Sequence, residues 1–479
     1  MSVTTRSYQN GDLPELSQLI DILGMSNQFN GDFVLEGQDP IIYSPHKLGY
    51  ASAVGQGANA LLTSMIWQYR SGEINTATMK IHDALNSLHE NHYVLQNGYP
   101  MTVGAESVPV NSYFKCKDGR SIHIIAGPPY VKLQNGYLNF FDCGNDRNRI
   151  GEEIAKWNSF ELEEALSEIG LPACVARTKE EWLEHPVGKS LSQTPVIDIE
   201  KVADSAPVPY STNAKQVLEG IKVLDFTHVL AGPMCGQNLG RLGADVLHIS
   251  SPNPNQKDTL PQNLITNFCK RNAYLDLNLA DDKEKLQQLV SEADVIINSY
   301  RPNVPKHFGI DIDEVIKHNA NGVVYLDISC YGKNNIWSDR AGFETIGQAC
   351  SGFSVSEAHD SVSEPLFSPV FYLNDPMTSY FALSGVLAAI QKRAIDGGSY
   401  HVNVSLARSG MWVEDLGLLE EEAYNSQPKS DVAAPHLMTT KTVYGDITRL
   451  AHSYEFDNLE FAKEAPVHPF GADKPEFLK

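Results

Sequence analysis

The spacing of apolar residues changes character near residue 215. Before it, apolar positions recur at helical intervals: residues 13–23 predict a short amphipathic helix. Residues 50–69, rich in Ala, Gly and Leu, predict a longer helix suited to close packing. Alternation takes over in residues 113–117 and 121–125, on either side of Asp118 and Gly119. That pattern predicts a β-hairpin, because its turn needs a positive φ that glycine adopts cheaply. Helical spacing returns at 149–157 and 179–185, and residues 203–213, with two prolines and several small polar residues, read as a linker.

After the linker, short apolar runs alternate with helical stretches. Residues 221–226 (IKVLDF) are a buried-strand pattern, followed by a glycine-containing turn and a helix to about residue 242. Strands are predicted at 245–249, 273–277, 294–298, 323–328 and 401–406, and helices at 283–292 and 376–393. This alternation predicts an α/β fold: a Rossmann-like doubly wound parallel sheet, with a smaller α+β domain ahead of it. The expected organisation is a helical segment over 1–100 that completes the large domain, and a small α+β domain over 101–205. A Rossmann-like domain then spans 215–410, and a polar, poorly periodic tail 411–479. The stretches starting at Ala60 and Ala382 share one order (apolar helix, basic end, glycine turn, alternating strand), a faint internal repeat.

Charge narrows the partners. Across 479 residues, 37 basic side chains face 59 acidic ones, a net of -22. Such a field repels nucleic acid and anionic membranes, and an anionic ligand would need a focused basic spot. The seven cysteines contain no CxxC and read as neither a disulfide framework nor a zinc site, so no metal is expected. With no basic start and apolar run at the N-terminus and no apolar stretch of membrane-spanning length, a cytoplasmic protein is expected.

Several positions carry candidate chemistry. The turn Thr227-His-Val-Leu-Ala-Gly232-Pro-Met-Cys-Gly236 would expose backbone N–H groups at a helix start, a natural phosphate cradle. It does not match GxGxxG, and the next strand ends in Ser250–Ser251 rather than an acid, which disfavours nicotinamide dinucleotides. A simple packing turn fits the same residues. Lys270 and Arg271 would supply a basic spot, or be solvated surface charge. Asp375, followed by Pro376 and a long apolar helix, fits the pairing of a helix cap with proline at the first helical position. The same helix end would favour an ionised, nucleophilic carboxylate. Glu344 stands before another helix, where an acid suits the helix dipole, and His228 is either a base or a backbone-bonded turn residue.

Taken in order, VLDFTHVLAGPMCGQNLGRLGADVLHI, KRNAYLDLNL, ADVIINSYRPNVPKHFGI, VVYLDISCYG, RAGFETIGQACSGF, the segment around Asp375 and GGSYHVNVSLA resemble the family III CoA-transferases, the CaiB/BaiF group. The resemblance implies that Asp375 is the nucleophile of an acyl-CoA:carboxylate CoA-transferase, working through an aspartyl-CoA thioester, with Glu344 positioning. It implies coenzyme A or acyl-CoA as substrate rather than a permanently bound cofactor, lying along Val229, Leu230 and Ala231. The middle of CoA would run near Ser299 and Tyr300, and its phosphate end would reach Lys270 and Arg271. A carboxylic acid is the implied acceptor and a homodimer the implied assembly, with the small domain closing over the site. KCKDGRSIHII and ARTKEEWLEHPVGKSL resemble the family's small domain, which here precedes the CoA-binding half, as in a fusion of two copies. Two departures are Leu230, where the formyl-CoA branch has glutamine, and Ser251 in place of a nucleotide-holding arginine. An α-methylacyl-CoA racemase would carry histidine where this chain has Phe343, and a non-catalytic CoA-binding protein is the other alternative.

Overall fold

The computed structural model describes residues 4–26, 30–101, 108–126, 130–211, 213–253, 260–429 and 435–478. Among these, seven strands form the large sheet, in the order Arg271–Tyr274, Asp245–Ser250, Lys222–Asp225, Val295–Asn298, Val324–Ser329, Ser399–Ser405, Asp198–Ala203. All neighbours are parallel except the last pair, where Asp198–Ala203 runs antiparallel to Ser399–Ser405. The strand order reverses at Lys222–Asp225, so a crevice opens beyond the carboxyl ends of the strands, where open α/β sheets bind ligands.

One sheet face lies under the helices Ala231–Arg241 and Asn374–Asp396, and Leu48–Ser71 packs on Asn374–Asp396. Leu48–Ser71 and Asn374–Asp396 are buried along most of their length, which explains why both are rich in small and apolar residues. Ser384 Oγ donates to Asn59 Oδ1 across their contact at 2.7 Å. The other face packs against Ala280–Glu292 and Ile312–His318 over a separate apolar cluster.

The hairpin forms as expected, Ser112–Lys115 against Ser121–Ile124, with Gly119 at φ +83°. Ala173–Val175 adds a third strand, and three helices (Val131–Phe141, Arg147–Ile154, Ser159–Glu168) complete the small unit around its own core.

Two readings change. The first hundred residues are not only helical: Asp32–Glu36 and Thr76–Lys80 pair within a four-stranded sheet with Thr5–Ser7 and Tyr454–Phe456. The polar last fifty residues hold a hairpin, Leu437–Thr442 with Gly445–Leu450, that pairs with Leu95–Gln96. Its alternating exposed and half-buried positions left too little apolar signal to read. The linker begins at the last residue of the edge strand Asp198–Ala203, and Thr212 lies outside the described residues. Among the described residues, no helix is long and apolar enough to cross a membrane.

Candidate active site

A cleft of about 780 Å³ opens at the carboxyl ends of the central strands and continues over the face of Val324–Ser329 and Ser399–Ser405. Seven predicted site residues line it: Val229, Leu230, Ala231, Ser299, Tyr300, Glu344 and Asp375.

Asp375 is not a helix cap. The helix starts one residue earlier, at Asn374, and Leu373 in the cap position makes no side-chain capping bond. Asp375 therefore lies inside the first turn, and its carboxylate takes the backbone N–H of Ala231, the first residue of a different helix. It is 6% exposed and lines the cleft. Burial pushes its pKa up to about 7, against that hydrogen bond from Ala231.

Glu344, the first residue of the helix Glu344–Ser351, is buried beside it. Its Oε1 accepts from Asn374 N at 2.7 Å and from Gln348 Nε2 at 2.6 Å, while its Oε2 has no hydrogen-bond partner. Burial, then the charge of Asp375, hold Glu344 well above the ordinary carboxylate range. Burial thus biases both carboxyls toward their protonated forms, and the charge of Asp375 adds to that bias at Glu344. No salt bridge reaches either carboxylate among the described residues.

The loop before Ala231 is tightly specified. Thr227 donates from its backbone N–H (2.9 Å) and its hydroxyl (2.5 Å) to Asp225 Oδ1. Val229 follows at φ +72°, a region that β-branched residues avoid, so strain is stored where the loop meets the cleft. His228 stacks on Tyr300 at 4.7 Å and shares hydrogen bonds with Ser299. Burial, then His248, lower its pKa to about 4. From the small unit, the Tyr130 ring comes within 5.5 Å of Phe343 and 6.4 Å of His228, placing that unit at the mouth of the cleft.

Lys270 and Arg271 are not in the cleft. Lys270 is buried, and its ammonium sits 2.8 Å from Asp225 Oδ2 in a fully enclosed pair; burial opposes ionisation of Asp225, but Lys270 and His248 hold its carboxyl well below the usual range. Removing one partner of such a pair typically costs about 3–5 kcal/mol, so Lys270 is committed to the fold. Arg271 makes a bidentate pair with Asp245 and donates to Glu476 O. These partners lie 26 to 205 positions away in sequence, beyond the reach of local pattern. The cleft instead holds Arg301, Lys306, Lys333, Arg340 and His401, none singled out from sequence. A signal existed for Arg301, which follows Ser299 and Tyr300 directly, and for His401, whose alternating strand sets it on one face with Asn403.

Residues 218–445 match the model of CoA-transferase family III. This part of the chain is a family III CoA-transferase domain. The chain is 31% identical over 334 residues to the acetyl-coenzyme A transferase nodX of Hypoxylon pulicicidum, covering 66% of this chain and 56% of that protein. It is 30% identical over 272 residues to an acyl-CoA transferase of Gibberella moniliformis, covering 55% and 48%. Among solved structures, Rv3272 from M. tuberculosis is 26% identical, with a TM-score of 0.39 over 43% of this chain and 59% of that one. The chain spans about half the length of the curated relatives it matches. Within the family III domain, the cleft runs between the 227–232 loop, the start of the helix Glu344–Ser351 and the start of the helix Asn374–Asp396.

Proposed function

We propose that this protein transfers coenzyme A from an acyl-CoA to a carboxylic acid, with Asp375 as the covalent carrier. The observation that carries this reading is a buried carboxylate, open to a long cleft, with no cation spent on it. A structural acid at such depth is ordinarily ion-paired, because an uncompensated charge there is costly. Asp375 is held near its ionisation point instead, which suits a nucleophile that must be charged to attack and neutral in its acylated form.

In this mechanism Asp375 Oδ attacks the thioester carbonyl of the donor. The C–S bond breaks, leaving an acyl-aspartyl anhydride and CoA thiolate. The thiolate attacks the aspartyl carbonyl, forming the aspartyl-CoA thioester and releasing the donor acid as carboxylate. The acceptor carboxylate then attacks that thioester, and the returning thiolate takes the acceptor's acyl group, which regenerates Asp375. In the first turn of the helix Ala231–Arg241 the Ala231 N–H is taken by Asp375, Pro233 has none and Met234 N–H bonds Leu230 O, so the Gly232 N–H is the donor that would meet the oxyanions that form. Glu344, fixed by Asn374 and Gln348, holds the start of the Asp375 helix. Tyr130 and the small unit would limit water, which would hydrolyse both intermediates. The apolar Phe343 before Glu344 offers no second acid or base for racemisation at the α-carbon. The chain is read as a soluble enzyme that folds as a homodimer or an internal fusion of two copies.

The test is a panel of acyl-CoAs incubated with isotope-labelled carboxylic acids, read by mass spectrometry. Labelled acyl-CoA should form with the wild-type protein and not with Asp375→Asn. Equal turnover by the variant would rule the reading out. Exchange of the α-proton with deuterated water, without transfer, would favour isomerase chemistry instead.

A further inference from the structure

The buried pair of Asp225 and Lys270 packs against the helix whose Ala231 N–H meets Asp375. We infer that Asp225, braced by Lys270, is a positioning residue for the reaction: it sets how the start of the helix Ala231–Arg241 stands relative to Asp375. The inference rests on the CoA-transferase reading above and adds to it residues that do not line the cleft.

The anchor is rigid. Asp225 ends the central strand Lys222–Asp225, opposite His248 on one neighbouring strand and Ile297 on the other. Both carboxylate oxygens are occupied. Oδ1 accepts from the backbone N–H and the hydroxyl of Thr227, at 2.9 and 2.5 Å, and Oδ2 accepts from Lys270 Nζ at 2.8 Å. Thr227 thereby fixes the start of the loop that reaches Ala231 through the strained Val229.

The helix meets this anchor through glycines. Gly232, Gly236 and Gly240 recur at every fourth residue and so share one face. A Cβ on Gly232 would lie 2.4 Å from Thr227 Cβ, and one on Gly236 would lie 2.7 Å from Asp225 Oδ2 and 3.1 Å from Lys270 Nζ. One on Gly240 would meet the carbonyl oxygen of Cys269, the residue before Lys270, at 2.3 Å. The helix backbone therefore rests directly on Thr227, on the ion pair and on Cys269, and a change in any of them moves it. What moves with it is the chemistry: Ala231 N–H donates to Asp375, and Gly232 N–H is the donor left for an oxyanion. Such donors work only when held in place, and a displacement of about 1 Å can cost on the order of 10²-fold in rate. A buried ion pair is costly to desolvate and is weak evidence for stability alone, which fits a role in placement.

The experiment measures kcat and KM for acyl-CoA in a CoA-exchange assay on the full chain, with thermal melting as the folding control. Gly236→Ala, one helical turn beyond Gly232, should lower kcat about 10²-fold while KM stays within about threefold. Thr227→Val keeps the side-chain shape and loses one hydrogen bond; it should lower kcat about tenfold, and Thr227→Ser should restore it. The paired change Asp225→Asn with Lys270→Met, which leaves no lone buried charge, should match Gly236→Ala. Wild-type kcat in folded Gly236→Ala and Thr227→Val would overturn the inference while the CoA reading stands. A loss confined to KM, or one that Thr227→Ser does not restore, would overturn it too. A wild-type protein in which Asp375 acquires no CoA adduct overturns the CoA reading, and this inference with it.

Discussion

The helix Leu48–Ser71, Gly72 (φ +80°) and the strand Thr76–Lys80 lead directly into the helix Ile81–Ser87; the helix Asn374–Asp396, Gly397 (φ +64°) and the strand Ser399–Ser405 lead directly into Leu406–Asp415. The two units pack on each other, Gly55 against Tyr380 and Ser384 against Asn59, and both long helices are buried. They differ in what meets the start of each long helix. Ahead of the first, buried His46 bonds Glu357 at 2.8 Å and Glu414 at 2.7 Å and stacks on Phe353. At the second, Asp375 and Glu344 face the cleft with no cation between them. Two carboxylates bridged by one imidazole stabilise a junction; two carboxylates with no cation between them are left open to the cleft. Charge compensation, not burial, separates a structural acid from one reserved for chemistry.

The largest expected effect is on turnover. Asp375→Asn should lower kcat/KM by roughly 10⁴-fold or more in a CoA-exchange assay, as loss of a covalent nucleophile does. The same variant should melt no lower than wild type at neutral pH. Asp375 has its folded pKa raised from 3.8 to about 7, so its contribution to stability is present below pH 3.8 and lost as pH rises through 7. The neutral amide escapes that loss. For the same reason wild-type kcat/KM should climb as pH passes about 7, where Asp375 ionises.

His46→Leu inverts the pattern. It leaves Glu357 and Glu414 buried without their shared partner and should cost about 3–5 kcal/mol in denaturant unfolding, with turnover of the folded fraction kept. Burial opposes protonation of His46, but the two glutamates raise its pKa from 6.5 to about 9. The stability this gives is complete below pH 6.5 and lost as pH rises through about 9, at up to ~1.4 kcal/mol per pH unit. His46→Gln should flatten that slope in pH-dependent unfolding.

Smaller effects sharpen the contrast at the second unit. Glu344→Gln preserves a neutral side chain and the hydrogen bonds at Oε1, so activity should stay within about tenfold of wild type, while Glu344→Ala should lose more. A collapse of activity in Glu344→Gln would mean that Glu344 acts as a charge. Val229→Gly relieves a positive φ and should change unfolding free energy by only ~1 kcal/mol, with a few-fold loss in kcat/KM as the loop loosens.

Local pattern was enough to read the parallel sheet, the hairpin at Gly119 and the loop Val229–Ala231, because strand runs and glycine turns are set within a few residues. For Asp375 and Glu344 it left a helix-end acid and a reactive one side by side, and the family resemblance marked them as site residues. It could not show the partner of Lys270, Asp225, 45 residues earlier, or the Asp327–His401 pair, 74 residues apart. Such pairs exist only once strands are in register. The hairpin at 437–450 was hidden because its strands are half exposed and pair with residues 95–96.

The most direct measurement is peptide mass spectrometry after brief incubation with acyl-CoA and quenching. The peptide containing Asp375 should carry CoA as a thioester, removable by hydroxylamine and absent from Asp375→Asn. A protein that turns over its substrates with no such adduct, or with CoA on another residue, would contradict the assignment.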